Sequence, residues 1–219
     1  MTALTRVRRA LVVVAHPDDE SFGLGALLSS LTARGAAVAV LCFTRGEAST
    51  LHDRPGELAT LRSAELAAAA EVLEVESTEL LDYPDGGLAE VPLADLTDRV
   101  RTAIARFRPT HLLVFDTGGI TGHPDHQRAT EAALSAADRL PVLAWVLPEQ
   151  VATALNDEFH TRFAGRPDGE LGPPLPVSRS RQWKAIACHR SQSSDNPVLH
   201  RRLDLLGDRE YVRPLTSGT

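Results

Sequence analysis

Five short, mostly apolar runs recur along the chain, at residues 11–15, 36–43, 79–83, 111–115 and 142–147. Runs this short and this rich in Val and Leu read as strands buried on both faces of a parallel sheet. Between them, apolar residues fall three and four apart, as on one face of a helix. Phe22, Leu24, Leu27, Leu28 and Leu31 predict a helix over 20–34, which Gly35 is placed to end. A long Ala- and Leu-rich helix is predicted over 56–73. Another starts at Pro92 and runs to about residue 107, ahead of Pro109, and a further one runs from Pro124 to about residue 140. This β-α-β-α order predicts an α/β fold: a Rossmann-like, mostly parallel sheet with helices on both faces and right-handed crossovers.

Beyond residue 156 the periodicity dissolves as far as 177, and prolines and glycines crowd 165–174. That stretch reads as a long surface loop or a short hairpin. Residues 181–189 look helical, Asn196-Pro197 suits the start of a last helix to residue 206, and 214–219 read as a frayed end. The expectation is one domain over 1–219, carrying an irregular loop or small hairpin insertion at about 157–180.

Composition narrows the function classes. Net charge is −6, and the 23 basic residues are scattered along the 219-residue chain, which is unlike a nucleic-acid footprint. Cys42 and Cys188 form no CxxC pair and read as thiols in a reducing compartment. Arg6, Arg8 and Arg9 precede an apolar run, but residues 11–15 are too few for a signal-peptide core. No stretch approaches a membrane span. The expected protein is cytoplasmic, with no nucleic-acid and no membrane partner.

The chemistry lies at the strand ends. His16-Pro17-Asp18-Asp19-Glu20 follows the first strand and His123-Pro124-Asp125-His126 follows the fourth, where open α/β sheets place their ligands. A turn leaving the first strand can aim His16 and Asp19 at one point. His123 and His126 face the same way if their turn is helical. Two such clusters at the ends of one sheet suggest a shared metal site, with ligands of the kind that suit zinc or ferrous iron. Each residue also has a plainer reading; Asp18 alone could simply cap the following helix.

These two motifs resemble those of the PIG-L/LmbE family of metal-dependent de-N-acetylases, over roughly residues 10–200. The resemblance implies His16, Asp19 and His126 as the zinc ligands (Fe2+ being the other candidate), Asp18 as general base and His123 as the group that stabilises the oxyanion. Asp125 would orient an imidazole from behind. Zinc would lower the pKa of water towards about 7 and polarise the acyl oxygen. Asp18 would take the proton, and a protonated His123 would face the developing negative charge.

Family-like positions also include Arg62 (followed by Glu65), Asp85 and Glu47, expected to contact substrate phosphate or sugar hydroxyls. Arg62 and Glu65 could equally form a helix-surface ion pair, and Pro84-Asp85-Gly86 a plain turn. Lys184, His189 and Gln192 match a late family segment, read as structural or site-lining. Thr121 stands where some relatives carry Tyr. The expected activity is removal of an N-acetyl group from an N-acetylglucosamine-type substrate, inositol- or glycoside-linked, by metal-activated water. The alternative is an amidase acting on a mycothiol-type thiol conjugate with the same machinery. Relatives are often oligomeric, which makes a homo-oligomer an open option. A nucleotide-binding Rossmann protein is a remote third reading, since Gly23-Leu24-Gly25 lies within the first predicted helix and lacks the third glycine of the fingerprint.

Overall fold

The structure is a computed structural model and describes residues 3–50 and 57–216. Its strands are β1 (Arg9–Val14), β2 (Ala37–Thr44), β3 (Ser77–Tyr83), β4 (His111–Phe115), β5 (Val142–Pro148), β6 (Gly165–Arg166), β7 (Leu175–Pro176) and β8 (Arg209–Thr216). In space they run β3-β2-β1-β4-β5-β8-β7, with β6 beside β5. The first five are parallel, and β8 lies antiparallel to β5. The α/β architecture with a mostly parallel sheet is as the apolar runs predict.

Alternate side chains along each strand point to opposite faces, so the sheet divides the core in two. Val12, Val14, Val40, Phe115 and Trp145 belong to one layer, and Leu11, Val13, Leu41, Val114 and Val146 to the other. Over the second face lie α4 (Leu93–Phe107) and α6 (Pro124–Ala136), which bury Leu96, Val100, Ala129 and Ala133. The first face is covered by α2 (Gly25–Thr32), α3 (Leu58–Val72), α7 (Glu149–Phe159), α8 (Ser180–Ile186) and α10 (Pro197–Leu206). Leu24, Leu27 and Leu28 have no solvent exposure, and each such side chain contributes about 1.5–3 kcal/mol of transfer free energy. Three single-turn helices, α1 (Asp19–Phe22), α5 (Gly119–Gly122) and α9 (Arg190–Ser193), sit in connections.

Several expectations give way to the structure. The helix predicted over 20–34 is broken into α1 and α2. Gly23 there lies against aromatic rings, and a Cβ on it would come within 2.6 Å of Phe115 and 2.9 Å of Trp145. The side chains of Phe115, Trp145 and Gln182 fill the space around Gly23 and Gly25, leaving no cradle for a dinucleotide phosphate. Helix α7 continues to Phe159, past the point where the periodicity fades. Its buried face, Val151, Ala152 and Leu155, is a narrow one. The insertion is not a hairpin, because β6 pairs with β5 while β7 pairs with β8. Residues 214–216 are not frayed but complete β8, opposite Val142 and Leu143. Residue 56, the expected start of the second helix, and residues 217–219 lie outside the described residues.

Candidate metal centre

The strand order reverses between β1 and β4, which makes the crevice at their carboxyl ends the switch point of the sheet. The turn after β1 delivers His16 and Asp19 there, and α6 delivers His126 from β4's side. One ligand atom from each of these three buried residues lies within 4.8 Å of the others. His16 Nδ1 is 3.1 Å from His126 Nε2, and His126 Nε2 is 3.1 Å from Asp19 Oδ1. The remaining atoms are held from behind. Asp19 Oδ2 accepts the amides of Ala15 and His16 at 3.2 and 2.9 Å. His126 Nδ1 is 2.9 Å from the Gly119 carbonyl and donates to it, which fixes the ring with Nε2 aimed inwards.

His16 turns its other nitrogen to two carboxylates. Nε2 is 3.0 Å from Asp85 Oδ1 and 3.3 Å from Asp125 Oδ2. Burial disfavours a charged His16, but Asp125, Asp85 and Asp19 outweigh it and hold the imidazole up at about 10. The same imidazoles, His126 foremost, pull the Asp19 carboxyl far below its usual range against the effect of burial. Asp85 and Asp125 hold a proton on His16 Nε2, while Nδ1 faces Asp19 and His126, where a divalent cation can take the place of the second imidazolium proton. Two imidazole nitrogens and a carboxylate oxygen are the donor set of a hydrolytic zinc or ferrous site, so these residues fit such a metal. A second grouping, His16, His123 and Asp125, is as compact, but both Asp125 oxygens already accept amides, of Gly86 at 2.8 Å and Leu88 at 3.1 Å.

Asp18 lines the cavity beside this cluster. Its φ of 125° is a conformation that non-glycine residues rarely adopt, a strain of order 1–3 kcal/mol that must be held by its surroundings. Its carbonyl accepts the amides of Ser21 and Phe22 at 2.9 and 2.7 Å, and two further contacts hold its amide and side chain. Glu20 Oε2 accepts the Asp18 amide at 3.0 Å, and Arg62 Nη2 donates to Asp18 Oδ2 at 2.9 Å. Asp18 does occupy the N-cap position of α1, yet its side chain makes no capping bond. Burial pushes its carboxyl up to about 6, with Arg62 opposing and Asp19 reinforcing the shift.

Of the three residues expected to meet substrate, Arg62 and Asp85 line the cavity, and all three also bond within the protein. Arg62 is 3 % exposed and donates to the carbonyls of Pro17 and Gly46 as well as to Asp18, so its guanidinium braces the loops. Gly46, at φ 66°, is where the chain passes that guanidinium; a Cβ would meet Arg62 Nη1 at 2.2 Å. Glu65 bonds not to Arg62 but to the amide and hydroxyl of Ser191. Asp85 points at His16, and its Oδ2 accepts the Ala48 amide at 2.8 Å. Glu47 is exposed, lies off the cavity wall and accepts the Asp85 amide at 3.0 Å. In each case at least part of the charged group is held by a partner distant in sequence.

His123 also differs from the protonated group expected. Its Nδ1 accepts the Asp125 amide at 3.1 Å, which caps α6. Burial and the neighbouring His16 and His126 lower its pKa. These surroundings favour the neutral ring, and with Nδ1 accepting, Nε2 is the nitrogen left to donate. Thr121 Oγ1 lies 3.2 Å from His126 Nδ1 on the cavity wall.

The cavity has a volume of about 630 Å³. One wall is apolar, with Phe22, Phe115, Trp145 and Phe163; the other is polar, with Ser49, Gln192 and Asn196. Gln192 accepts the Ser49 hydroxyl at 2.7 Å, whereas Lys184 is exposed and off the cavity wall. His189 is buried against Glu20, 2.7 Å between Nε2 and Oε1. Glu20, the last residue of the first motif, is given no role by the sequence alone, and Arg202 is not singled out there at all. Arg202 shares the buried face of α10 with Leu199, Leu203 and Leu206, an i, i+3, i+4, i+7 pattern in which a charged residue is the anomaly.

A family profile described as PIG-L, GlcNAc-PI de-N-acetylase, matches residues 11–137. The 1D-myo-inositol 2-acetamido-2-deoxy-alpha-D-glucopyranoside deacetylase of Kribbella flavida is 33 % identical, over 97 % of this chain and 93 % of that one. The protein of the same name from Kineococcus radiotolerans is also 33 % identical, over 68 % of this chain, but this chain spans only 51 % of its length. Among solved structures, the N,N'-diacetylchitobiose deacetylase of Pyrococcus horikoshii superposes with a TM-score of 0.71 at 22 % identity, covering 97 % of this chain and 85 % of that one. GalB, the 4-carboxy-2-hydroxymuconate hydratase of Pseudomonas putida KT2440, gives 0.74 at 21 % identity, covering 96 and 97 %. Such distant likenesses speak for the fold; a hydratase and a deacetylase share it, so chemistry has to be argued from the site.

Proposed function

The chain belongs to the PIG-L family of GlcNAc-PI de-N-acetylases, and on that premise we propose that it is a metal-dependent hydrolase removing the N-acetyl group from an N-acetylglucosamine-type substrate, inositol- or glycoside-linked. The observation that carries this reading is a buried His16, Asp19 and His126 cluster opening on a cavity that is also lined by Asp18, a carboxylate bound by Arg62 and not part of the cluster. His16, Asp19 and His126 would hold zinc, or ferrous iron, which supplies Lewis acidity and a water of lowered pKa.

Asp18 takes the proton of the attacking water and delivers it to the departing amine. His123 donates from Nε2 to the oxygen that gains negative charge. Asp125 and Asp85 fix the ring of His16 and raise its basicity as a ligand. Asp85→Asn is accordingly expected to weaken metal affinity about 10- to 100-fold, with the thermal midpoint of the metal-free protein little changed. Competition with a coloured chelator reads the affinity; an unchanged value removes Asp85 from this role.

The substrate class is tested by acetate release from N-acetylglucosaminyl inositol, N,N'-diacetylchitobiose and free N-acetylglucosamine, using metal-loaded protein. Hydrolysis of at least one, abolished by a chelator and restored by zinc, is expected. Failure on all three overturns the reading. The apolar wall formed by Phe22, Phe115, Trp145 and Phe163 favours a second substrate, a thiol S-conjugate bearing an apolar group, cleaved at its amide by the same residues. An S-alkylated thiol conjugate belongs in the same assay, and its preferential cleavage would select that reading.

No helix among the described residues is long and apolar enough to cross a membrane.

A further inference from the structure

Arg202 is a buried cation left over by the fold. It is 7 % exposed, projects from α10 into the wall of the cavity, and makes no ion pair among the described residues. Its guanidinium lies 5.3 Å from the ring centroid of Trp145, and Nη2 donates to the Phe22 carbonyl at 2.7 Å. Nε is buried and has no hydrogen-bond partner. The nearby acid, Glu210, does not neutralise it, because that carboxylate is already bound by Arg179 at 2.5 Å and by the Trp145 indole at 2.7 Å. Burial lowers Arg202 to about 10, with Glu210 opposing and Arg179 adding to the shift, so it remains charged at neutral pH. Asp19 and Asp18 also favour the charge from a distance, but a buried cation with no carboxylate bound to it remains costly. Structure alone needs only one hydrogen bond to Phe22, which a neutral donor would supply.

We propose that Arg202 is the receptor for an acidic group of the substrate, a carboxylate or a phosphate, and so selects anionic over neutral amides. Its planar fork suits bidentate pairing with either group, and the apolar surroundings of Phe22 and Trp145 strengthen that pairing by excluding water. This rests on the reading of the cavity as the substrate pocket, but its test requires no turnover.

Trp145 reports on its own neighbour. In chelator-treated full-length protein carrying Trp183→Phe, which removes the other, exposed tryptophan, indole fluorescence is titrated with three probes. N-acetylglucosamine is neutral, N-acetylglucosamine 6-phosphate places the anion on the amine side, and N-succinylglucosamine places it on the acyl side. At least one anionic probe is expected to bind at least tenfold more tightly than the neutral sugar. Arg202→Met is expected to abolish that preference and Arg202→Lys to restore part of it; the stronger anion identifies which side of the amide carries the charge. Equal binding of all three probes overturns the proposal, as does an anion preference that survives in Arg202→Met. Should Arg202→Met not fold, the comparison of probes on the parent protein and the Lys variant still decides. A deacetylase inactive on every acetylated sugar but retaining this preference would sink the proposed reaction and leave the anion site standing.

Discussion

Asp18→Asn is expected to bind its metal at full stoichiometry and to lose about 10²- to 10⁴-fold in kcat, the range for removal of a general base. The change is nearly isosteric. The amide oxygen can still accept from Arg62, as Asp18 Oδ2 does at 2.9 Å, so the brace on the strained turn survives. What disappears is the group able to take a proton. Its pH dependence follows from the same surroundings. Burial raises the Asp18 carboxyl to about 6, and only the ionised form is a base. The parent rate should therefore fall as pH drops through about 6 and level off above it. In Asp18→Asn the residual rate should lack that limb. Elemental analysis and a pH profile of kcat for both proteins check the expectation; a variant as fast as its parent removes Asp18 from the reaction.

His126→Ala has the second large effect, and it strikes occupancy rather than proton transfer. His126 Nε2 faces both His16 and Asp19 at 3.1 Å, so its loss takes one of three donors from the cluster. Metal bound only by the folded state adds about 2.7 kcal/mol of stability at a hundredfold excess over Kd. For a chain of this size that is roughly 5–10 °C in Tm. Chelator-treated parent protein should gain such an increment when zinc is added, and His126→Ala should not, while its acetate release falls to background. One metal per chain persisting in purified His126→Ala would show that the ion sits elsewhere.

What could be read from the sequence was what is encoded locally. The runs behind β1, β4 and β5 are apolar enough to be seen without neighbours, and the two histidine clusters follow them at once. β8 could not be seen, because its polar residues are matched by distant partners: Glu210 by Arg179, Arg213 by Asp116. The broken first helix depends on Phe115 and Trp145 pressing on Gly23, a contact across more than one strand. The site divides in the same way. His16, Asp19 and His126 converge as the motif spacing suggests. Arg62, Asp85 and Glu47 have the residue types of substrate contacts, while the hydrogen bonds that hold them within the protein appear only in three dimensions. His123 illustrates the finer limit, since its proton is placed by one backbone amide of Asp125.

The donors His16 and His126 are 110 positions apart, and Arg202 comes later still. A nascent chain emerging from the ribosome therefore displays half of the cluster long before the other half exists, and closing so distant a contact is slow relative to local helix formation. Capture of a metal by this cluster would then be a late event of maturation, coupled to completion of the tertiary structure. Appearance of a chelator-resistant ion during refolding would serve as a clock for that final step.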